Sequence, residues 1–296
     1  MKKGSVVQLD RISDFGSEGW GFESSLGHTI FLYFFFIINL TAQNVIFEIE
    51  LPKSVYETSG LEIVHNNLIT LNDSGNQPTL YYLKKNGEVF YERIFSELKN
   101  IDWEDLAVDD EFIYIADIGN NFDKRDNLRI IKVPIFDKNN SVGLINFFYP
   151  EQKDFSFKEN SYYDAEGLIS FENNLLIFTK NRAKKITEIY RIPKEPGNYK
   201  AKLIGQINTE SIVTSADYDM KTKLLVLTST SDFNDYYIIL IENFDYSKLD
   251  NLNLKKFKIP IDKTQVEAIK IIDNNNFLIT SEAETFGSPY LFKISL

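Results

Sequence analysis

Asp102-Trp-Glu-Asp-Leu-Ala-Val-Asp-Asp-Glu-Phe-Ile-Tyr-Ile-Ala-Asp-Ile-Gly-Asn-Asn-Phe122 is the stretch whose reading decides the fold. It opens on carboxylates, alternates, turns at Asp109-Asp110-Glu111, alternates again through Phe112, Ile113, Tyr114 and Ile115, and stops at Gly119-Asn120-Asn121. That pattern is a strand, a hairpin turn and a second strand, with acidic side chains at the strand mouth. The phrase recurs as Ser59-Gly-Leu-Glu-Ile63, Glu166-Gly-Leu-Ile-Ser170, Ser215-Ala-Asp-Tyr-Asp219 and Glu267-Ala-Ile-Lys-Ile271, each followed by a polar turn and another apolar strand. The chain therefore reads as a circular array of β-units, each contributing one oxygen ligand.

Working outward, the units recur every 45 to 60 residues or so, close to the roughly 40–50-residue period of four-stranded propeller blades. The longest interval, from Glu104 to Glu166, is read as holding an insertion over 138–160. Further strands are expected at Leu80–Leu83, Val89–Phe95, Leu128–Val133, Ile186–Ile192, Tyr236–Ile241 and Leu254–Ile259. Too few residues follow Glu267 for a whole blade, and the alternating Asn44-Val-Ile-Phe-Glu-Ile-Glu-Leu51 supplies the missing strand. An N-terminal strand pairing into the last blade leaves no open sheet edge. The expected fold is an all-β propeller of five blades, with six as the second choice if the insertion hides one. It occupies 44–296 as a single domain.

The residues before it are set apart. Ile30 to Leu40 is a nearly unbroken apolar run followed by Thr41-Ala42-Gln43. It is too short for the ~20 residues of a membrane span and fits the hydrophobic region of a secretory signal cleaved near Gln43. Segment 28–43 is thus expected to direct export, periplasmic, cell-surface or secreted, with membrane contact only during passage. Residues 1–27 are expected to come from a start codon assigned too early: Phe22-Glu23-Ser24 is what TTC-GAA-TCC encodes, a sequence resembling the T arm of a transfer-RNA gene.

Composition narrows the chemistry. The net charge of -11 and the scatter of the basic residues argue against a phosphate-backbone partner, so no nucleic acid is expected. With no cysteine and only His28 and His65, neither thiolate nor multi-histidine metal sites can be built. Carboxylates, hydroxyls and carbonyls are left. In a propeller the innermost strands meet at the axis, bringing Ser59, Glu104, Glu166, Ser215 and Glu267 together. Three converging carboxylates repel unless protonated or bridged by a cation. Ca²⁺ suits such an oxygen-only, loosely ordered set. The bland alternative is an acid-lined, water-filled channel.

The order Ser, Glu, Glu, Ser, Glu resembles the calcium ring of the soluble calcium-activated nucleotidases, the apyrase family of five-bladed propellers. Ser59 to Asp73 and Glu104 to Gly119 are similar to that family's first two inner hairpins. Phe178-Thr-Lys-Asn-Arg-Ala183 falls where the family carries a basic phosphate-contacting segment. Asp-Trp-Glu-Asp-Leu-Ala107, Asp117-Ile-Gly-Asn-Asn121 and Asp164-Ala-Glu-Gly-Leu168 also resemble a family of exported bacterial propellers without an assigned activity. The first resemblance implies a calcium-dependent phosphohydrolase of nucleoside di- or triphosphates, with Lys180 and Arg182 neutralising phosphate charge. Asp73 and Asp117, ending the inner hairpins, are then the candidate bases. Asn72-Asp73-Ser74-Gly75-Asn76 and Asp117-Ile-Gly119 also spell plain turns, and Lys180 to Lys185 a solvated loop. The other open class is a non-catalytic propeller with a structural metal that binds a protein, peptide or glycan. Trp103 and the many Phe and Tyr residues are assigned to packing between blades, not to a ligand platform.

Overall fold

The inner strands are buried on both faces, so they read as nearly continuous apolar runs; the outer strands alternate against solvent. The computed structural model describes residues 43–136, 141–232, 235–249, 252–261, 265–283 and 287–296. The expected signal segment and the expected spurious start lie outside the described residues, save Gln43. Among the described residues no helix is long and apolar enough to cross a membrane.

Five antiparallel sheets form the blades of a β-propeller. Strand β1 (Asn44–Glu50) comes first in the chain and belongs to the last blade. Blade one is β2 (Thr58–Val64), β3 (Asn67–Asn72), β4 (Thr79–Leu83) and β5 (Val89–Ile94). Blade two is β6 (Trp103–Val108), β7 (Phe112–Asp117), β8 (Arg129–Pro134) and β9 (Gly143–Phe148). Blade three holds β10 (Ala165–Phe171), β11 (Asn174–Thr179), β12 (Thr187–Pro193) and, after the short β13 (Gly197–Lys200), β14 (Lys202–Ile207). Blade four is β15 (Ile212–Asp219), β16 (Leu224–Asp232), β17 (Asp235–Ile241) and β18 (Leu254–Lys258). Blade five is β19 (Val266–Ile271), β20 (Asn276–Ser281), β21 (Tyr290–Ser295) and β1, which pairs antiparallel with β21. The N-terminal strand closes the ring as the sequence implied.

Two features differ from the sequence reading. The segment assigned to an insertion over 138–160 contains β9, the fourth strand of blade two, so the true excursion is the loop from Tyr149 to Asp164. Strand β13 leaves blade three and pairs parallel with β9, covering the outer edge of blade two. Both β13 and β14 are largely exposed and carry little apolar periodicity, which is why neither was legible.

The core is divided among the blade interfaces. Five buried clusters each join two adjacent blades. Between blades two and three, Tyr114, Ile130 and Phe147 meet Leu168, Leu175, Ile177 and Tyr190. Each such side chain contributes roughly 1.5–3 kcal/mol by leaving water. Trp103 is fully buried between blades one and two, as expected. His65-Asn66 turns β2 into β3 with φ of 49° and 66°, the doubly positive φ of a two-residue hairpin turn of type I′.

Candidate metal centre at the channel mouth

Every innermost strand skips one residue in its pairing with its neighbour. The breaks fall between Ser59 and Leu61, Trp103 and Asp105, Ala165 and Gly167, Val213 and Ser215, and Val266 and Ala268. A bulge leaves the extra residue unpaired and re-aims its side chain. The five bulge positions are Gly60, Glu104, Glu166, Thr214 and Glu267, a structural row that includes all three ring glutamates.

Glu104, Glu166 and Glu267 line one cavity of about 240 Å³ together with Ser59, Asp73, Asn121, Lys180, Arg182, Gln265 and Glu282. Ser59 sits one residue before its bulge and donates its hydroxyl to the Glu104 carbonyl. The bulge itself is Gly60, at φ 67°, where a Cβ would lie 2.7 Å from Leu106 N; only glycine lets blade two approach. Ser215 sits one residue after its bulge and does not line the cavity. Its hydroxyl faces deeper, 3.3 Å from both Asp105 oxygens. The bulge residue of blade four, Thr214, donates to Val266 O at 2.9 Å and offers the cavity nothing. The five-oxygen ring is thereby reduced to Ser59, Glu104, Glu166 and Glu267, with Ser215 turned away.

Asp117 also lies elsewhere. Fully buried, it accepts from Arg125 Nη2 at 2.8 Å, Arg129 Nε at 2.9 Å and the Asp102 backbone N–H at 3.2 Å. Both its oxygens are occupied by guanidinium groups, so it braces the loop after β7 and cannot serve as a base in the cavity. Asp73 does reach the cavity. Its counterpart in blade two is Gly119, where a Cβ would collide with the Asp102 and Glu104 carboxylates; glycine there makes room for the acids.

The sequence reading missed Asp102, Glu282, Asn121, Gln265 and Asp164. Asp102 and Asp164 precede their bulge glutamates by two residues, a spacing that repeats as Asp-x-Glu and was available in the sequence. Lys180 and Glu282 are also equivalent, each the next residue after the strand partner of Ala165 or Val266.

Charge in the cavity is unbalanced. Lys180 pairs with Glu166, and Arg182 pairs with Asp164 while lying 3.9 Å from Glu166. Arg182 also donates to Asn121 Oδ1 at 2.8 Å. Asp73, Asp102 and Glu104 place carboxylate oxygens within 4.8 Å of one another, as do Glu104, Asp164 and Glu166. Among the described residues no ion pair reaches Asp73, Asp102 or Glu104. Glu166 Oε2 is buried without a hydrogen-bond partner.

Burial and mutual repulsion push these carboxyls toward the neutral form. Burial and then the Asp102 charge raise Asp73 to about 8. Burial and Asp164 raise Asp102 to about 6. Burial raises Glu166 to about 7 against the pull of Lys180, and burial with Glu57 raises Glu282 to about 7. Glu104 and Glu267 go up well above the usual range, chiefly through burial. Burial works against the Lys180 charge, yet Glu166 and Glu267 hold it firmly protonated. The donor set is oxygen only, the acids outnumber the bases, and one glutamate oxygen is orphaned. Such a set fits a hard divalent cation.

No family model and no curated protein matches the chain. Among solved structures it is similar to the glutaminyl cyclase of Myxococcus xanthus, at 11% identity and a TM-score of 0.54, over 85% of this chain and 95% of that one. It is also similar to the PQQ-bound aldose sugar dehydrogenase of Streptomyces coelicolor, at 9% identity and a TM-score of 0.48, over 86% and 98% of the two chains. These likenesses are of fold. The chain is a β-propeller with a buried acidic cavity that can hold a metal ion.

Proposed function

We propose that the cavity is a Ca²⁺ centre and that the protein is an exported calcium-dependent phosphohydrolase acting on nucleoside di- or triphosphates. The observation that carries the metal is the cluster of Asp73, Asp102 and Glu104 within 4.8 Å, which forms no ion pair among the described residues. Glu104, shared by both acidic groups, would hold the ion with Asp102 and with Glu166, whose Oε2 has no hydrogen-bond partner, leaving Asp73 free of it. Ca²⁺, when bound, supplies charge that polarises a phosphoryl oxygen. Lys180 and Arg182, which line the same cavity, would balance the charge of a phosphate entering it. Asp73, the one candidate base that lines the cavity, would receive the proton of the attacking water.

A second reading keeps the metal and drops the catalysis. Lys180 and Arg182 already pair with Glu166 and Asp164, which favours a propeller whose metal is structural and whose ligand is a protein, peptide or glycan. Phosphate release from a nucleotide panel with Ca²⁺, with Mg²⁺ and with chelator separates the two. Release that needs Ca²⁺ and is lost in Glu104→Gln supports hydrolysis. No release, with a chelator-induced fall in melting temperature, supports the structural ion. Export is tested by sequencing the mature amino terminus from the native host, expected near Gln43.

A further inference from the structure

The sequence reading assigned the aromatic side chains to packing between blades, and in the loops next to the candidate centre two phenylalanines depart from that. Phe122 and Phe157 stack with ring centroids 4.8 Å apart and planes 21° from parallel, yet they are 49% and 60% exposed. Neither belongs to a core cluster. Tyr162, 41% exposed, stands in the same loop as Phe157, with Lys184 Nζ 5.7 Å from its ring.

The stack is tied to the cavity wall. Phe122 follows Asn121, which lines the cavity and accepts from Arg182; consecutive Cα atoms lie about 3.8 Å apart. Asn120 N donates to Asp164 Oδ1 at 2.7 Å, and Asp164 pairs with Arg182. The two loops bearing the rings are also fastened to each other. Lys158 N donates to Phe122 O at 3.0 Å. The buried Asp123 carboxylate accepts from Tyr162 N and Tyr163 N at 2.9 and 2.8 Å, and Gln152 Nε2 donates to Asp123 O at 2.8 Å. A platform this firmly held loses little freedom when a ring settles on it, and half-exposed stacked aromatics beside a polar cavity mark a binding surface.

We infer that Phe122 and Phe157 form an aromatic subsite beside the metal cavity, selecting phosphorylated small molecules that carry a planar aromatic ring. This rests on the reading that an anionic phosphoryl group enters the cavity that the bound cation shares with Lys180 and Arg182. The ring then lies over the rim, on the side where Asn121 joins cavity to loop.

Calorimetric titration of the full chain in saturating Ca²⁺ with phenylphosphonate and with methylphosphonate, neither of which can lose its phosphorus group, tests it. Phenylphosphonate is expected to bind about ten-fold more tightly. In Phe122→Ala and in Phe157→Ala that preference falls to near unity while methylphosphonate affinity and melting temperature stay put; Phe122→Trp restores it. Equal binding of both probes to the wild type overturns the aromatic subsite and leaves the phosphoryl reading standing. A preference that survives both alanine variants, or a methylphosphonate affinity that falls with them, also overturns it. Binding of neither probe overturns the phosphoryl reading and the subsite together.

Discussion

The two ends of the central channel are built from the same five strands and solve the problem of buried charge in opposite ways. Three residues beyond the bulge row, Lys270 on β19 lies 2.6 Å from Glu62 on β2 and 2.8 Å from Asp217 on β15. Ile271 N completes the Asp217 carboxylate at 2.7 Å. Between the ends, Asp105 accepts from Leu106 N and Leu168 N at 2.9 Å and from Ala216 N at 3.3 Å. Those groups are held by Lys270 or by backbone donors within the protein and tie all five blades together. At the mouth, Asp73 accepts from Ser74 N, but Asp73, Asp102 and Glu104 form no ion pair among the described residues. A fold able to place a lysine between buried acids at one end leaves three acids without an ion pair at the other, where Asp73 and Glu104 line an accessible cavity. That contrast argues for an external cation at the mouth and a purely structural network below it.

The contrast is broken most severely at the deep end. Lys270→Met strips two buried carboxylates of their shared partner, and thermal unfolding is expected to show a loss of roughly 3–5 kcal/mol, unaffected by Ca²⁺. A loss that Ca²⁺ restores would mean the two ends are not independent. Next in size is the metal itself. At a free Ca²⁺ concentration 100 times the dissociation constant, the native state gains about 2.7 kcal/mol. Glu104→Gln is expected to abolish that gain in melting temperature while leaving the chelated protein at least as stable as wild type, since it removes a repelling acid.

The pH response sharpens the comparison further. Asp73, Glu166 and Glu282 titrate in the folded protein at about 8, 7 and 7, above their ordinary values of 3.8, 4.5 and 4.5. A group raised in this way stabilises the fold fully below its ordinary value and loses that contribution as pH climbs through the raised one. In chelator, the melting temperature is therefore expected to fall as pH rises from about 4 to about 8. With Ca²⁺ replacing the protons at the mouth, the fall is expected to shrink to the share of deep-end groups such as Glu62, which burial raises to about 7, and titration calorimetry in buffers of different ionisation enthalpy should detect protons released on binding. The smallest effect belongs to the exposed Lys84–Glu88 pair on blade one. Lys84→Ala should change stability by less than about 0.5 kcal/mol under any condition, which fixes the baseline for the other variants.

Much of the architecture could be read from the inner strands. β7 and β11, buried on both faces, spell apolar runs that turn residues punctuate cleanly, and the surplus strand at Asn44–Glu50 signalled closure. The outer strands β13 and β14 bury too little to leave a pattern. The site was legible in its glutamates and misaligned in its serines for one reason. A bulge inserts a residue without disturbing the apolar pattern around it, so Ser59-Gly-Leu61 and Glu104-Asp-Leu106 look alike although the bulge falls on Gly60 in one and Glu104 in the other. The same one-residue ambiguity placed Ser215 on the axis beside the glutamates, when its row is that of Asp105. Asp117 failed differently: its two guanidinium partners, Arg125 and Arg129, stand close by in sequence, but only the folded hairpin brings them onto the same carboxylate.

Calcium titration of the metal-free chain by calorimetry tests the central claim most directly, with Glu104→Gln and Asp102→Asn measured beside the wild type. Saturable binding to the wild type, lost in Glu104→Gln and at least ten-fold weaker in Asp102→Asn while both variants melt cooperatively, is the expected result. Absence of binding to the wild type, or binding that both variants retain unchanged, would contradict it.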